Sequence, residues 1–157
     1  MEKEKDTRLD ELSVKLRSIK AKDMMTKEVV TTTEDAHLAD IAELMIKKRI
    51  NGLPVLNEKD EVTGTITSED LFLVMDMIKS GDVIEDEGFT VSEPVVKFAM
   101  SAGAVKINKD TTLEEIIVIM KYRNAHTLPV FDGKKMVGVV GRRDIFKNFY
   151  SAVKEIY

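Results

Sequence analysis

Gly64-Thr65-Ile66-Thr67-Ser68-Glu69-Asp70 closes a segment of strand character and opens an apolar helical run at Leu71-Phe72. It recurs as Gly138-Val139-Val140-Gly141-Arg142-Arg143-Asp144, followed by Ile145-Phe146. In both copies a glycine leads two strand-type residues, three positions follow, and an aspartate stands where the helix begins. A chain that repeats itself is read as a repeat first. Thr67-x-x-Asp70 is also a capping-box-like start, with Asp where Glu or Gln is usual, and on that reading both residues only finish a helix end. Gly141 has no hydroxyl to cap with, yet Asp144 is retained. Since an aspartate in a first turn also serves the helix dipole, the comparison favours a binding site and leaves capping open.

Outward from this stretch, Met25 falls on Met100, Leu38 on Leu113, Ile41 on Ile116, Met45 on Met120 and Pro54 on Pro129, each pair 75 apart. The offset drops to 74 between Gly64 and Gly138. One residue is therefore lost in the hairpin between, where Asp132-Gly133 is a tight-turn signal.

Leu9, Leu12, Leu16 and Ile19 recur at helical spacing behind Thr7 as N-cap, which predicts a first helix with a narrow apolar stripe suited to core packing or to a dimer interface. Val29-Val30 reads as a short strand. Thr32-x-x-Asp35 reads as the start of a helix carrying Leu38, Ile41, Ala42 and Met45. Leu53-Pro54-Val55-Leu56 is an apolar strand whose proline belongs at a first residue or an edge, and Asn57 to Asp60 is a turn before Val62 to Ile66. The closing helix runs from about Asp144, with Ile145, Phe149, Val153 and Ile156 on one side. The methionines read as adaptable core filler. The organisation is a charged tail and helix over 1–18, a first repeat over 19–79, an acidic solvated linker over 80–94 and a second repeat over 95–157.

With 157 residues, 43% hydrophobic and 33% charged, the chain can build one ordinary core or two small lobes, which excludes disorder throughout. A net charge of -4 offers nucleic acid no basic field. The absence of cysteine excludes disulfides and thiolate metal sites, and His37 and His126 are too far apart in sequence to make a good zinc set, so no metal is expected. Met1 to Asp6 lacks the apolar core of a signal peptide and no apolar run approaches the roughly 18 residues of a membrane span. The expectation is a cytoplasmic protein with no membrane partner. There is no P-loop, dinucleotide fingerprint, cysteine nucleophile or Ser/His/Asp set, so an enzyme is not expected.

The echoed combination of Met25-Thr26, Leu53-Pro54-Val55 and Gly64 to Asp70 resembles tandem CBS domains, named for cystathionine β-synthase, a pair also called a Bateman module. The resemblance covers Ile19 to Tyr157. It implies an α/β (α+β) fold of two βαββα repeats packed sheet against sheet about a pseudo-twofold axis, with two clefts for adenosine-containing ligands and a regulatory role. Carried over, it implies one cleft pairing Thr26, Ile50, Asn51 and Gly52 with Asp144, and a second pairing Ser101, Ala125, His126 and Thr127 with Thr67 and Asp70. Arg142 and Arg143 would add positive charge, and Gly141 stands where the family usually has Thr or Ser. The aspartate would read a ribose, since a carboxylate accepts two hydrogen bonds from a cis-diol. His126 reads either as a phosphate contact or as a hydrogen-bonded loop residue. With Thr67 and His126 both assigned to the Asp70 cleft, AMP is expected to fill that cleft first.

The resemblance thus implies a stand-alone, homodimeric sensor of AMP, ADP or ATP, with S-adenosylmethionine and NAD as further ligands of the class. It implies no required cofactor and an unidentified regulated protein as partner. The alternative of another class is a structural dimerisation or interaction module with no physiological nucleotide.

Overall fold

A computed structural model describes residues 2–81, 85, 86, 89, 90 and 94–157, so much of the acidic linker lies outside the described residues. The elements run α1 (Glu2–Ser18), α2 (Ala21–Met24), β1 (Thr32–Thr33), α3 (Leu38–Lys48), β2 (Gly52–Leu56), β3 (Val62–Thr67), α4 (Ser68–Lys79), β4 (Glu85–Asp86) and β5 (Phe89–Thr90). They continue as α5 (Val96–Ala99), β6 (Ser101–Ala102), β7 (Ile107–Asn108), α6 (Leu113–Arg123), β8 (Thr127–Asp132), β9 (Lys135–Gly141) and α7 (Arg142–Ile156). From α2 to α4 the order is repeated from α5 to α7, as the offset in the sequence predicts, with β6 as an additional short strand in the second copy.

The compact bodies are cut differently from the sequence repeats. Body one combines residues 1–29 with 105–157, and body two is residues 30–104. The cause is a pair of equivalent segments, each packed on the repeat to which it does not belong by sequence. In body one, Ala21 N donates to Thr111 O at 2.8 Å, Lys22 N to Lys109 O at 2.9 Å, and Leu113 N to Ile19 O at 2.8 Å. In body two the same three bonds recur, from Val96 N to Ala36 O at 2.8 Å, Lys97 N to Glu34 O at 2.9 Å, and Leu38 N to Pro94 O at 3.1 Å. Lys22 also hydrogen-bonds the Asp110 carboxyl at 3.1 Å and thereby holds it below its ordinary pKa.

Body two carries a sheet in the order β1-β2-β3-β6, and body one a sheet in the order β7-β8-β9. Behind each sheet the apolar helical positions close the core, with Leu38, Ile41 and Met45 buried in one body and Leu113, Ile116 and Met120 in the other. Pro54 is the third residue of β2, yet β1 pairs only with Val55 and Leu56. At Pro54 the strand has a neighbour on the β3 side alone, so the missing N–H breaks no ladder bond there. The Asn57 carboxamide receives the N–H groups of Lys59 and Glu61, which fixes the first hairpin turn, and Gly133 at φ 61° makes the second.

Three element boundaries differ from the sequence reading. The helix expected from Leu9 begins at Glu2, so Thr7 lies inside α1 and is not its N-cap; no strong helix breaker stands in the charged start. Val29-Val30 is not a strand, and the parallel pairing with β2 is taken by Thr32 and Thr33. Thr32-x-x-Asp35 does not open α3, which starts at Leu38 behind an extended His37. The Thr33 hydroxyl instead donates to Asp35 at 2.7 Å, a local side-chain bond that competes with helix initiation. This bond holds the Asp35 carboxyl below its ordinary range. Along α1 the stripe is used at its end, where Leu16 and Ile19 pack on the core of body one, while Leu9 is exposed.

Candidate functional site

Each body gathers one set of candidate residues around an aspartate. In body one, Asp144 sits in the first turn of α7 and its Oδ2 accepts the Gly141 N–H at 2.8 Å. Thr26 reaches it from the N-terminal segment, its hydroxyl 3.4 Å from Asp144 Oδ1. Thr26 is held there by a pair of backbone bonds with Val139, at 2.9 and 3.0 Å. Thr127 lies directly opposite Gly141 across the β8–β9 pair, which brings Ala125 and His126 to the same end of the sheet. The His126 ring bonds the Asn124 side chain at 3.1 Å. A Cβ on Gly141 would stand 3.9 Å from His126 O and 3.8 Å from Asp144 Oδ2, ordinary contact distances.

In body two, Asp70 occupies the equivalent turn of α4, and its Oδ2 accepts both the Thr67 N–H at 2.8 Å and the Thr67 hydroxyl at 3.1 Å. Gly52 faces Thr67 across the hairpin, and Ser68 N donates to Asn51 O at 2.9 Å. Ile50 packs against the core of body two. Ser101 pairs with Thr65 through β6, as Thr26 bridges to Val139 in the other body. Both aspartates are half-buried.

Within each body the hairpin groups residues of a single repeat. Ala125, His126 and Thr127 lie in the body of Asp144, and Ile50, Asn51 and Gly52 in the body of Asp70. The hairpin explains it, because antiparallel register sets the start of β2 or β8 beside the end of β3 or β9, where that copy's own aspartate follows. Only the hydroxyl before the first strand, Thr26 or Ser101, comes from the other repeat.

Both aspartates do cap, as the bland reading holds, but through Oδ2. An ionised carboxylate has about four lone-pair sites on two oxygens, so capping leaves acceptor capacity on Oδ1. Arg142 and Arg143 separate. Arg142 lines a cleft of about 230 Å³ on the helical face of body one with Ile117, Met120, Lys121, Ile145 and Phe146. Arg142, Ile145 and Phe146 share one face of α7 by helical spacing, so that cleft is not the Asp144 site.

The sequence reading missed the seats of Met25 and Met100. A Cβ on Gly138 would fall 2.5 Å from Met25 Sδ, and one on Gly64 would fall 2.4 Å from Met100 Cε. The paired offset of these methionines and glycines was the available signal. Among the described residues no group of three or more His, Asp or Glu side chains could hold a metal ion, and no helix is long and apolar enough to cross a membrane.

The CBS domain model matches residues 21–76 and again 92–151. Among curated relatives, inosine-5'-monophosphate dehydrogenase of Methanocaldococcus jannaschii is 27% identical over 129 residues, which is 82% of this chain and 23% of that enzyme. The chain spans less than two thirds of the length of this and the next such relatives. A solved CBS domain pair in complex with 5'-methylthioadenosine and S-adenosyl-L-methionine superposes with a TM-score of 0.70 at 23% identity, covering 84% of this chain and 96% of that one. CBSX2 in complex with AMP superposes with a TM-score of 0.68 at 20% identity, covering 85% of this chain and 98% of that one. At such identities these two likenesses concern the fold. With both sequence repeats matched by one family, and each seated in the same hairpin-and-helix arrangement, the chain belongs to the CBS domain family.

Proposed function

We propose that the chain is a regulatory sensor module, not an enzyme, that binds adenosine-containing ligands at its two aspartate sites and passes their occupancy to a regulated protein. AMP, ADP and ATP lead the class, with S-adenosylmethionine and NAD beside them, and no cofactor is required. The observation that carries the reading is a helix-start carboxylate, Asp144, whose Oδ2 caps while the Thr26 hydroxyl arrives from the other repeat at Oδ1; Asp70 caps in the same way, and Ser101 holds the strand register equivalent to that of Thr26. A cap alone needs no such hydroxyl. A ribose cis-diol needs a half-buried carboxylate with acceptor capacity left, and charge-assisted hydrogen bonds of this kind are worth about 1.5 to 3 kcal/mol. The adenosyl ligands in related CBS structures support the class.

Titration calorimetry with AMP, ADP, ATP, S-adenosylmethionine and NAD tests this. Asp144→Ala and Asp70→Ala are each expected to weaken one site by about 10- to 100-fold. If the aspartates only cap, each substitution lowers stability by about 0.5 to 2 kcal/mol and leaves affinity unchanged.

The module is further proposed to be a homodimer. Phe72, Met75 and Ile78 on α4 are 65, 53 and 57% exposed, and Phe146, Phe149 and Tyr150 on α7 are 66, 47 and 64% exposed. Apolar faces of this kind mark interaction surfaces. Light scattering at micromolar concentration is expected to give twice the 17.7 kDa chain mass, and a monomer mass would overturn the proposal. A dimer that binds none of the five compounds would instead be the interaction module.

A further inference from the structure

We infer that the two sites sort adenosine ligands by charge, the Asp144 site taking nucleotides with a phosphate chain and the Asp70 site taking adenosyl compounds without phosphate. The inference rests on the adenosine reading above and concerns what distinguishes its two sites. The backbone frames are equivalent, so the ligand class is set by the side chains that flank each carboxylate. Next to Thr26 and Asp144 in sequence stand Lys27, Arg142 and Arg143; the aligned positions next to Ser101 and Asp70 are Ala102, Ser68 and Glu69. Three positive charges thus face one negative charge across the comparison.

Arg142 contributes least, since it lines the outer cleft on another face of α7. Arg143 immediately precedes Asp144, and Lys27 immediately follows Thr26, whose hydroxyl is 3.4 Å from that aspartate; both cations are exposed. His126 joins them in body one, where body two has Asn51. Two aligned positions run the other way: Glu28 matches Gly103, and Arg49 matches Asn124. Glu28 is two residues along from Thr26, and Arg49 caps α3 in the left-handed conformation, two residues before Asn51. Neither adjoins the aspartate in sequence, whereas Arg143 and Glu69 each do. A guanidinium offers a phosphate a charge-assisted fork of donors, and a carboxylate at the same place repels it.

Calorimetry with ATP, AMP and 5'-methylthioadenosine at low and at high salt tests the sorting, with Asp144→Ala and Asp70→Ala assigning each binding phase to its site. ATP is expected to bind the Asp144 site at least tenfold more tightly than the Asp70 site, with an affinity that falls as salt rises. Methylthioadenosine is expected to prefer the Asp70 site and to show little salt dependence. Arg143→Glu should weaken ATP by tenfold or more and leave methylthioadenosine within about twofold, and Glu69→Arg should strengthen ATP at the Asp70 site. Equal effects of Arg143→Glu on both ligands, or tighter ATP binding at Asp70, would overturn the sorting while leaving the adenosine reading intact. Failure of all three compounds to bind would overturn both.

Discussion

A chain that begins at Val30 is expected to lose the folded state of body one while body two keeps its own. Residues 1–29 lie far from residues 105–157 in sequence, but α2 is a core element of their body: Ala21 is fully buried and Met24 is 6% exposed. They pack with Leu113, Ile116, Leu128 and Val140, and the deletion would open that core to water. It would also leave Thr111 O, Lys109 O and Leu113 N without their backbone partners and remove both backbone bonds between Thr26 and Val139. Loss of one large buried side chain costs about 2 to 5 kcal/mol, and each lost hydrogen bond about 0.5 to 1.5 kcal/mol. Together these approach the whole stability of an ordinary domain, about 5 to 15 kcal/mol. Amide exchange reads the outcome directly. Leu128 and Val140 should lose protection while Leu53 and Ile66, fully buried in body two, retain it. Unchanged protection at Leu128 and Val140 would show that body one stands without its N-terminal segment.

That prediction arises where sequence and structure part. Periodicity places α3, α6 and both hairpins because their apolar residues pack within one repeat, and local spacing is then a faithful signal. The exchange of α2 and α5 between repeats has no local signature, since Lys20 to Met25 would read the same whichever hairpin received it. The site divides along the same line. Asp70 and Asp144 are legible because a helix start after a strand is a local pattern, and Thr26 and Ser101 because their position repeats. The partners of His126 depend on hairpin register, which sets Thr127 opposite Gly141. Once that register is known, the place of Ala125, His126 and Thr127 at the Gly141 end of their sheet follows from strand geometry alone. The start of α3 was missed for a different reason, because Thr33 and Asp35 satisfy each other and leave His37 as the extended residue before the helix.

Gly64→Ala is expected to be far more damaging than Gly138→Ala, although the two glycines occupy equivalent strand positions. Neither has a positive φ, so the constraint is close approach rather than backbone conformation. A Cβ on Gly64 would lie 2.2 Å from the carbonyl oxygen of Ser101 and 2.4 Å from Met100 Cε. The methionine can swing away, but the carbonyl belongs to β6, which is fixed by pairing with β3 and by the Gly103 N–H bond to Thr63 O at 2.8 Å. Relief therefore requires β6 to leave the sheet, and the cost should reach or exceed the upper end of the roughly 1 to 3 kcal/mol typical of overpacking. The three atoms nearest a Cβ on Gly138 all belong to the Met25 side chain, at 2.5, 2.8 and 3.1 Å for Sδ, Cγ and Cβ. A thioether chain repacks readily, so about 1 kcal/mol is expected there. Calorimetric melting should resolve the pair, since each kcal/mol moves the midpoint by about 2 to 4 °C in a chain of this size. The milder substitution should still reach the site, because the Met25 Cβ, 3.1 Å from the new methyl, shifts only with its backbone and so with Thr26, the next residue and the hydroxyl partner of Asp144. Gly138→Ala should thus weaken ligand binding at Asp144 with a small change in melting, whereas Gly64→Ala should lower melting by several degrees more and displace Ser101. Equal melting shifts for the two variants would mean that β6 yields as easily as a methionine side chain, and the account of Gly64 would be wrong.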